Sequence, residues 1–430
     1  MSAIPGIFQP EVESRPRERL VALQLERLRA TLAHARSNAD YRRRLGPAEP
    51  GDLRSLDDWS RLPFLTKDEL RDAYPFGLTC APRESIVRVQ MSSGTTGNPI
   101  LNAYTREDIT QWSEVMARCY TAAGARAGDV VQITPSFGLF TGGFGFHYGA
   151  EHLGLTTIPI GAGRTGLQLK LMEDLGTTVL VGIATYPLRI LEVAGEEGFD
   201  LGRLRLRVAI LGAEMWSDDL RRRIEEGLRL TAYDIIGMTE TGGPGLGIEC
   251  AARAGIHVWE DHYYCEVVDP AGGAPRPDGE EGELVVSTLT RHALPLIRYR
   301  THDLTRVVSR GRCDCGRTHL RLDRLRGRTD DMVIFRGVNF YPRQIESLIL
   351  RQRKAGHEYQ IALDRRPGGS DRMTLLIEAG PGFAQDGLAQ LRRDLKETLN
   401  LSPEVTVLEE GELPRPAGKA VRVVDRRQGG

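Results

Sequence analysis

With 430 residues the chain is too long for one hydrophobic core, and two or three domains are expected. Its 57 Lys and Arg are offset by 58 Asp and Glu, and the net charge of -1 gives no electrostatic reason for a nucleic-acid partner. No membrane span or secretory signal is expected. Residues 1–19 lack an apolar stretch, and the longest uncharged run, 130–150, is broken by Pro135, Gly138, Gly142, Gly143 and Gly145 and reads as a glycine-rich loop. A cytoplasmic protein is expected, its six cysteines reduced and the closely spaced ones serving as metal ligands rather than disulfides.

Val21, Leu25, Leu28, Leu32 and Ala35 recur at helical spacing opposite Arg and Glu, which predicts a first helix. After the turn-like Leu62-Pro63, Thr66 and Glu69 have capping-box spacing and mark a second helix start. From there to about residue 240, β-rich runs at 130–133, 177–181 and 208–211 alternate with helical patterns at 168–175 and 218–228. That alternation predicts a mainly parallel sheet with helices on its faces. A more antiparallel section follows, with a strand at 283–287. Beyond it come a strand at 332–335, a helix entered through Tyr341-Pro342 and carrying Ile345 and Leu348, a helix around 388–399 and a basic strand at 420–424. The change of texture near Arg328 sets a domain boundary close to Asp330. The expected fold is α/β: a large N-terminal domain, 1–329, with mostly parallel sheets flanked by helices, and a smaller α+β domain, 330–430.

The sharpest local signal is Ser92-Ser93-Gly94-Thr95-Thr96-Gly97-Asn98-Pro99. Small hydroxylated residues interleaved with glycine let backbone N–H groups and hydroxyls converge on phosphate oxygens. No Gly-Lys-Ser/Thr ending is present, so this is not a Walker A loop. Glu240 follows Thr239 at the expected end of a strand, where an acid can hold Mg2+ on phosphates. Asp303 offers two acceptor oxygens suited to a vicinal diol. Lys419 follows Pro416-Ala417-Gly418, a flexible approach to a single cation. Taken singly, these are equally a surface turn, a loop acid, a salt-bridge partner and a tail lysine.

Taken in order they are more specific. With Gly138-Leu139-Phe140-Thr141-Gly142-Gly143, Gly212-Ala213-Glu214-Met215-Trp216, Gly237-Met238-Thr239-Glu240, Tyr299-Arg300-Thr301-His302-Asp303, Gly327-Arg328-Thr329-Asp330-Asp331 and Gly418-Lys419-Ala420, the chain resembles the phenylacetate–CoA ligase family of the adenylate-forming superfamily. The resemblance runs from Leu62-Pro63-Phe64 to Lys419. It implies an enzyme that activates an aromatic acid of phenylacetate, benzoate or anthranilate type with ATP as an acyl-adenylate, then transfers the acyl group to CoA. It implies phosphate contacts for Ser92, Ser93, Gly94, Thr95, Thr96, Gly97 and Thr239, and Mg2+ for Glu240. Nucleotide contacts are implied for Gly212, Ala213, Glu214, Asp234, Ile236, Gly237 and Met238, with Asp303 on the ribose hydroxyls and Arg328 beside it.

The same resemblance gives Lys419 to the adenylation step and makes Asp330 a hinge. Rotation of a mobile C-terminal domain there would withdraw Lys419 and bring in Arg336-Gly337-Val338-Asn339 for the CoA step. Ser136, Phe137, Phe140, Ala184, Tyr186, Pro187 and Gly212 are the implied walls of the acid pocket. Two positions depart from the family: Asn98 stands where a basic residue is usual, and Ile236 where an aromatic commonly stacks on adenine. Two other readings share these motifs, a stand-alone adenylation enzyme that loads a carrier protein and a non-catalytic nucleotide-binding protein. Retention of Glu240, Asp303, Arg328 and Lys419 together argues against the second. A homodimer is the base-rate expectation.

Cys313-Asp314-Cys315-Gly316 is a tight knuckle of the kind that offers two thiolates to Zn2+. Cys250 and His257, separated by a short glycine-containing loop, would complete a closed Cys3His site, with His262, Cys265 and His319 as substitutes for one ligand. The zinc would order the region beside Glu240 without polarising substrate. Cys80 and Cys119 are expected to pack as small hydrophobes.

Overall fold

The computed structural model describes residues 6–92, 99–329, 333–336, 338–352, 355–365, 371–379, 383, 385–409, 411–414 and 421–427. The chain forms two compact units. The first comprises Met1–Ala184, Val193–Ala213 and Arg229–Arg326, and the second Thr185–Glu192, Glu214–Leu228 and Gly327–Gly430. The C-terminal part of the chain thus recruits two short segments from the middle of the sequence.

In the first unit, the helix Arg17–Ala35 buries Leu28, Leu32 and Ala35 of the expected stripe together with Leu20, while Val21 and Leu25 are half-buried. Thr66 caps the helix Lys67–Asp72 as its spacing predicts: its hydroxyl accepts the Glu69 N–H at 3.3 Å, and the Glu69 carboxylate accepts the Thr66 N–H at 2.7 Å. Strands β1 (Arg88–Met91) and β2 (Leu101–Tyr104) form an antiparallel hairpin. Strands β3 (Val130–Ile133), β4 (Thr156–Ile158), β5 (Val179–Ile183), β6 (Val208–Gly212) and β7 (Thr231–Met238) are parallel neighbours in the order β7-β6-β5-β3-β4. β5 and β6 are almost wholly buried, which explains why they read as continuous apolar runs.

Beyond β7 the sheet turns antiparallel through β8 (Gly243–Glu249) and β9 (Ile256–Val258). A separate antiparallel meander follows, made of β10 (Tyr263–Val268), β11 (Gly282–Thr288) and β12 (Tyr299–Thr305). The short strands β13 (Val307–Ser309) and β14 (Arg321–Leu322) extend the large sheet to nine strands.

The run 130–150 is not one glycine-rich loop. Only its middle is irregular, and Gly142–Leu153 is a helix. Two of its glycines serve packing rather than turning. A Cβ at Gly145 would stand 2.6 Å from Trp112 Cζ2, and one at Gly149 2.3 Å from Met116 Cβ. The helix Arg106–Ala122 carries both neighbours, so the glycines let the two helices approach closely at the cost of lower helix propensity.

In the second unit, Ala355–Arg365 and Asp371–Ala379 pair antiparallel, flanked by the parallel strands Val423–Asp425 and Glu404–Leu408. A hairpin of Val333–Phe335 and Val338–Phe340 precedes the helix Pro342–Leu350. Ile345 and Leu348 from that helix share a core with Leu391 and Leu395 of Gln385–Leu399 and with Ile361, Leu363, Leu375 and Ile377. Met332 and Ala420, the first residues of two expected strands, lie outside the described residues. Among the described residues, no helix is long and apolar enough to cross a membrane.

Candidate active site

The C-terminal ends of β7, β6, β5 and β3 share one edge of the sheet because these strands are parallel and adjacent. That is the edge where open α/β sheets bind ligands. Four groups of sequence-predicted residues follow those ends. They are Ser136, Phe137 and Phe140 after β3, Ala184 after β5, Gly212 and Ala213 at the end of β6, and Gly237-Met238-Thr239-Glu240 at the end of β7. Residues up to 104 positions apart in sequence, from Ser136 to Glu240, are gathered by topology alone.

The local backbone is tight along this edge. The Ala184 N–H donates to Gly212 O at 3.1 Å. A Cβ at Gly212 would lie 2.3 Å from Ile235 O, and one at Gly237 2.3 Å from Gly243 O, so neither position has room for a side chain. Ala213 has φ +66, the left-handed region that a non-glycine residue enters only at some cost, and it is exposed. Phe137 is half-buried, edge-on to Phe144 at 5.3 Å and to His147 at 6.2 Å. Phe140 is exposed. Ile236 is buried within the main hydrophobic cluster. The Asp234 carboxylate is paired with Arg324 at 2.9 Å.

Glu240 is buried on a shelf of polar groups. The Gly242 N–H donates to Thr239 O at 3.1 Å and closes a turn. Asn102 Nδ2, from β2, donates to Thr239 O and to Glu240 O, the latter at 3.2 Å. The Tyr299 hydroxyl, from β12, donates to Glu240 Oε1 at 3.2 Å. Behind Asn102 lies Arg291, whose guanidinium donates to Asn102 Oδ1 and to Ala103 O, both at 2.8 Å. Sequence reasoning missed Asn102 and Arg291; the one available signal was a polar residue within the otherwise apolar run Leu101-Asn102-Ala103-Tyr104.

Asp303 lies in a β-bulge. β11 pairs Glu283 with Leu304 and Val285 with Arg300, so three residues of β12 oppose one of β11. His302 adopts φ +65 there, and its N–H donates to Glu283 Oε1 at 3.1 Å. The Asp303 N–H donates to Thr301 Oγ1 at 3.0 Å, and Thr301 Oγ1 in turn donates to Leu284 O at 2.8 Å. β12 therefore carries both the buried Asp303 and the Tyr299 that touches Glu240.

Ser92 borders the glycine-rich loop, and its hydroxyl accepts the Ile100 N–H at 3.0 Å, pinching the loop's two ends at the β1–β2 hairpin. Ser93, Gly94, Thr95, Thr96, Gly97 and Asn98 lie outside the described residues, as do Asp330, Gly337 and Lys419. Tyr186, Pro187, Glu214, Arg328 and Arg336 belong to the second unit. Within it Glu214 accepts a hydrogen bond from the Thr185 hydroxyl at 2.8 Å.

The cysteine knuckle is closed. Cys250, His257, Cys313 and Cys315 bring their ligand atoms within 4.8 Å of one another. Cys250 Sγ and Cys313 Sγ are 3.9 Å apart, and Cys315 Sγ is 3.4 Å from His257 Nε2. A tetrahedral Zn2+ with Zn–S bonds of about 2.3 Å requires edges of about 3.8 Å, whereas a disulfide requires about 2.0 Å. Burial lowers the His257 pKa, which keeps the imidazole in the neutral form that a metal needs. The donor set thus fits zinc. His319 is otherwise engaged, with Nδ1 accepting the Glu260 N–H at 3.0 Å and Nε2 3.1 Å from Val12 O. Nor do His262 and Cys265 join the group of four. Cys119 is buried and receives the Trp259 indole N–H at 3.4 Å, while Cys80 is half-buried.

Comparison with known proteins places the chain in a family. Residues 21–290 match the model for "AMP-binding enzyme" and residues 337–427 that for "AMP-binding enzyme C-terminal domain". A phenylacetate-coenzyme A ligase of Aromatoleum evansii is 42% identical over 98% of this chain and 98% of its own. The phenylacetate-coenzyme A ligase of Thermus thermophilus is also 42% identical, over 98% of this chain and 100% of its own. Among solved structures, a 2-hydroxyisobutyryl-CoA ligase in its postadenylation state, in complex with R3-HIB-AMP, superposes with a TM-score of 0.91. It is 27% identical and covers 99% of this chain and 93% of that one.

Proposed function

The chain belongs to the phenylacetate–CoA ligase family of AMP-binding enzymes, and from that premise we propose that it is an ATP-dependent aryl acid–CoA ligase. It condenses an aromatic acid with ATP to acyl-AMP and pyrophosphate, then transfers the acyl group to the CoA thiol and releases AMP. The observation that carries this reading is the shared edge of β3, β5, β6 and β7, where the polar turn Thr239-Glu240 after β7 lies along the same edge as the tightly packed Gly212 of β6, Ala184 after β5 and the Phe137–Phe144 pair after β3. One part of the edge suits phosphates and the other a flat acid.

Each residue has a task set by charge. Pyrophosphate displacement concentrates negative charge on the triphosphate, so catalysis is mainly positioning and neutralisation. Glu240 would hold Mg2+, which when bound offsets phosphate charge, and Thr239 with the Ser92–Gly97 loop would contact phosphate oxygens. Asp303 grips the ribose hydroxyls with Arg328 nearby, and Gly212, Ala213, Glu214, Gly237 and Met238 contact the nucleotide. Ile236, buried in the core, supports the adenine site from beneath rather than stacking on it. Asp234, paired with Arg324, steadies β7 from its side. Lys419 bridges the acid's carboxylate and the α-phosphate in the first step.

Rotation of the C-terminal domain at Asp330 then exchanges Lys419 for the Arg336-Gly337 loop and admits CoA. Ser136, Phe137, Phe140, Ala184, Tyr186, Pro187 and Gly212 form the acid pocket. Cys250, His257, Cys313 and Cys315 would hold a structural Zn2+, which when bound cross-links the loops that carry them. Such an enzyme would work in the cytoplasm.

The test is acid-dependent AMP release from ATP across aromatic and aliphatic acids, with and without CoA. Turnover that needs both CoA and an aryl acid, with phenylacetate among the best, is expected. A preference for aliphatic acids would overturn the substrate class. Acyl-adenylate that never reaches CoA would overturn the acceptor.

A further inference from the structure

We propose that Asn102, oriented by the buried Arg291–Asp108 pair, is a positioning residue that aims the Glu240 carboxylate at the metal of the adenylation step. The inference rests on the assignment of Glu240 to Mg2+ given above.

Its first support is orientation. An Asn carboxamide can be turned either way, but a guanidinium only donates. Arg291 reaches one end of the Asn102 carboxamide at 2.8 Å, so that end must be the oxygen and the opposite end must be the NH2. The NH2 meets the carbonyls of Thr239 and Glu240, which only accept. Arg291 therefore determines which way Asn102 faces, and Asn102 pins two successive carbonyls just past the end of the β7–β8 pairing, where Met238 faces Gly243.

The second support is the choice of a buried cation. Asn102 and Asp108 are fully buried, and Arg291 is nearly so. Arg291 lies 3.8 Å from the Asp108 carboxylate and over the Tyr104 ring at 4.5 Å. Asp108 also accepts the N–H groups of His292 and Ala293 at 2.7 and 3.0 Å, and the Tyr104 hydroxyl donates to Gly242 O at 3.2 Å. An apolar cluster of the same volume would serve stability as well or better. What it could not do is hold the carbonyls of Thr239, Glu240 and Gly242 in that turn by directed bonds. On the other side the Tyr299 hydroxyl donates to Oε1 of Glu240 at 3.2 Å. The backbone is thus fixed from β2 and one carboxylate oxygen from β12, which sets the direction of the whole side chain.

The experiment follows acid-dependent ATP–pyrophosphate exchange against free Mg2+ in the full-length enzyme, together with calorimetric binding of ATP with and without Mg2+, where the Asn102→Asp change should weaken the Mg2+-dependent part of binding. Thioester formation from supplied acyl-adenylate and CoA is measured beside it. Asn102→Asp keeps the shape and the acceptor for Arg291 but removes the donor. It should raise half-saturating Mg2+ and lower the exchange rate, each on the order of tenfold, and leave the thioester step within about twofold. Tyr299→Phe, a gentler change, should shift Mg2+ dependence about threefold in the same direction. Asn102→Gln, which restores an NH2 one methylene away, should recover part of the exchange rate lost in Asn102→Asp.

Unchanged Mg2+ dependence in both Asn102→Asp and Tyr299→Phe, with Glu240→Gln shifted, would overturn the network alone. Equal losses in both half-reactions would also overturn it, because they would mean general damage. If Glu240→Gln itself leaves Mg2+ dependence unchanged, the metal assignment of Glu240 falls and the proposal falls with it.

Discussion

The Glu240 shelf and the cysteine knuckle lie in the same unit and are both built from buried polar groups, yet they distribute those groups in opposite ways. In the knuckle the reactive atoms face one another, and even the surrounding cations join in: Arg317 NH1 stands 3.6 Å from Cys315 Sγ and Arg321 NH1 3.7 Å from Cys313 Sγ. Around Glu240 the polar groups are spent on the backbone. Asn102, Tyr104 and the Gly242 N–H fix carbonyls, and one hydroxyl reaches the carboxylate. A site that holds structure closes on itself, whereas a site that acts fixes its frame and keeps its functional atoms available.

The largest expected effect separates the two by stability. The knuckle ties remote segments together: the Thr318 N–H donates to Glu13 O at 3.1 Å, and Arg317 Nε donates to Glu13 Oε2 at 2.7 Å. Chelation of the zinc-loaded enzyme, or Cys313→Ser, should remove about 4 kcal/mol of stability where free zinc exceeds its Kd a thousandfold. Thermal melting reads this directly, and proteolysis should open near Arg15 and Arg17. Among molecules that remain folded, kcat should change by no more than about twofold, since no ligand of the knuckle touches substrate. A loss of kcat without a fall in melting temperature would erase the contrast.

Glu240→Gln should give the reverse pattern. Exchange activity is expected to fall about 100-fold, or about 2.7 kcal/mol of transition-state stabilisation, as for loss of one preorganised charge contact. Melting temperature should move by only a few degrees, because the Asn102 bonds go to backbone carbonyls that the substitution leaves in place. If Glu240→Gln destabilises the fold as much as chelation does, the shelf is a structural feature and the contrast fails.

What could be read from the sequence follows the same division between local and remote. The capping box at Thr66 and Glu69, the buried strands 130–133 and 208–211 and the stripe of the first helix depend on neighbours a few residues apart, and periodicity reveals them. The cysteine pair Cys313 and Cys315 was visible for the same reason, and chemistry pointed to Cys250 and His257 as partners. The helix Gly142–Leu153 was not legible, because Gly145 and Gly149 are favoured by close contact with Trp112 and Met116 on another helix. Asn102 was hidden for an equivalent reason: its meaning depends on Arg291, 189 residues away. The recruitment of Thr185–Glu192 and Glu214–Leu228 into the second unit likewise depends on tertiary packing, which no local pattern encodes.

A third buried polar cluster lies near the knuckle and sharpens the contrast through pH. Arg118 grips the Asp261 carboxylate with two bonds of 2.8 and 3.0 Å, and Asp261 Oδ2 is 3.1 Å from His262 Nε2. Burial works against ionised Asp261, but the neighbouring His262 and then Arg118 outweigh it and hold the carboxyl well below the usual range. Burial also lowers the His262 pKa to about 3, with Arg118 and Arg27 assisting and Asp261 opposing. The folded protein therefore keeps this imidazole neutral, while the unfolded chain takes up its proton below about pH 6.5. Between those two values the unfolded state binds more protons, so stability is fully present above about pH 6.5 and declines as pH falls toward 3. The slope from one such group is at most about 1.4 kcal/mol per pH unit. Melting temperatures at pH 7.5 and 5.5 should differ less in His262→Gln than in the unaltered protein, because glutamine can keep a bond to Thr290, 2.8 Å from His262 Nδ1, without titrating. Equal pH dependence in the two proteins would mean that the acid sensitivity arises elsewhere, with His257 and the thiolates of the knuckle as the next groups to test.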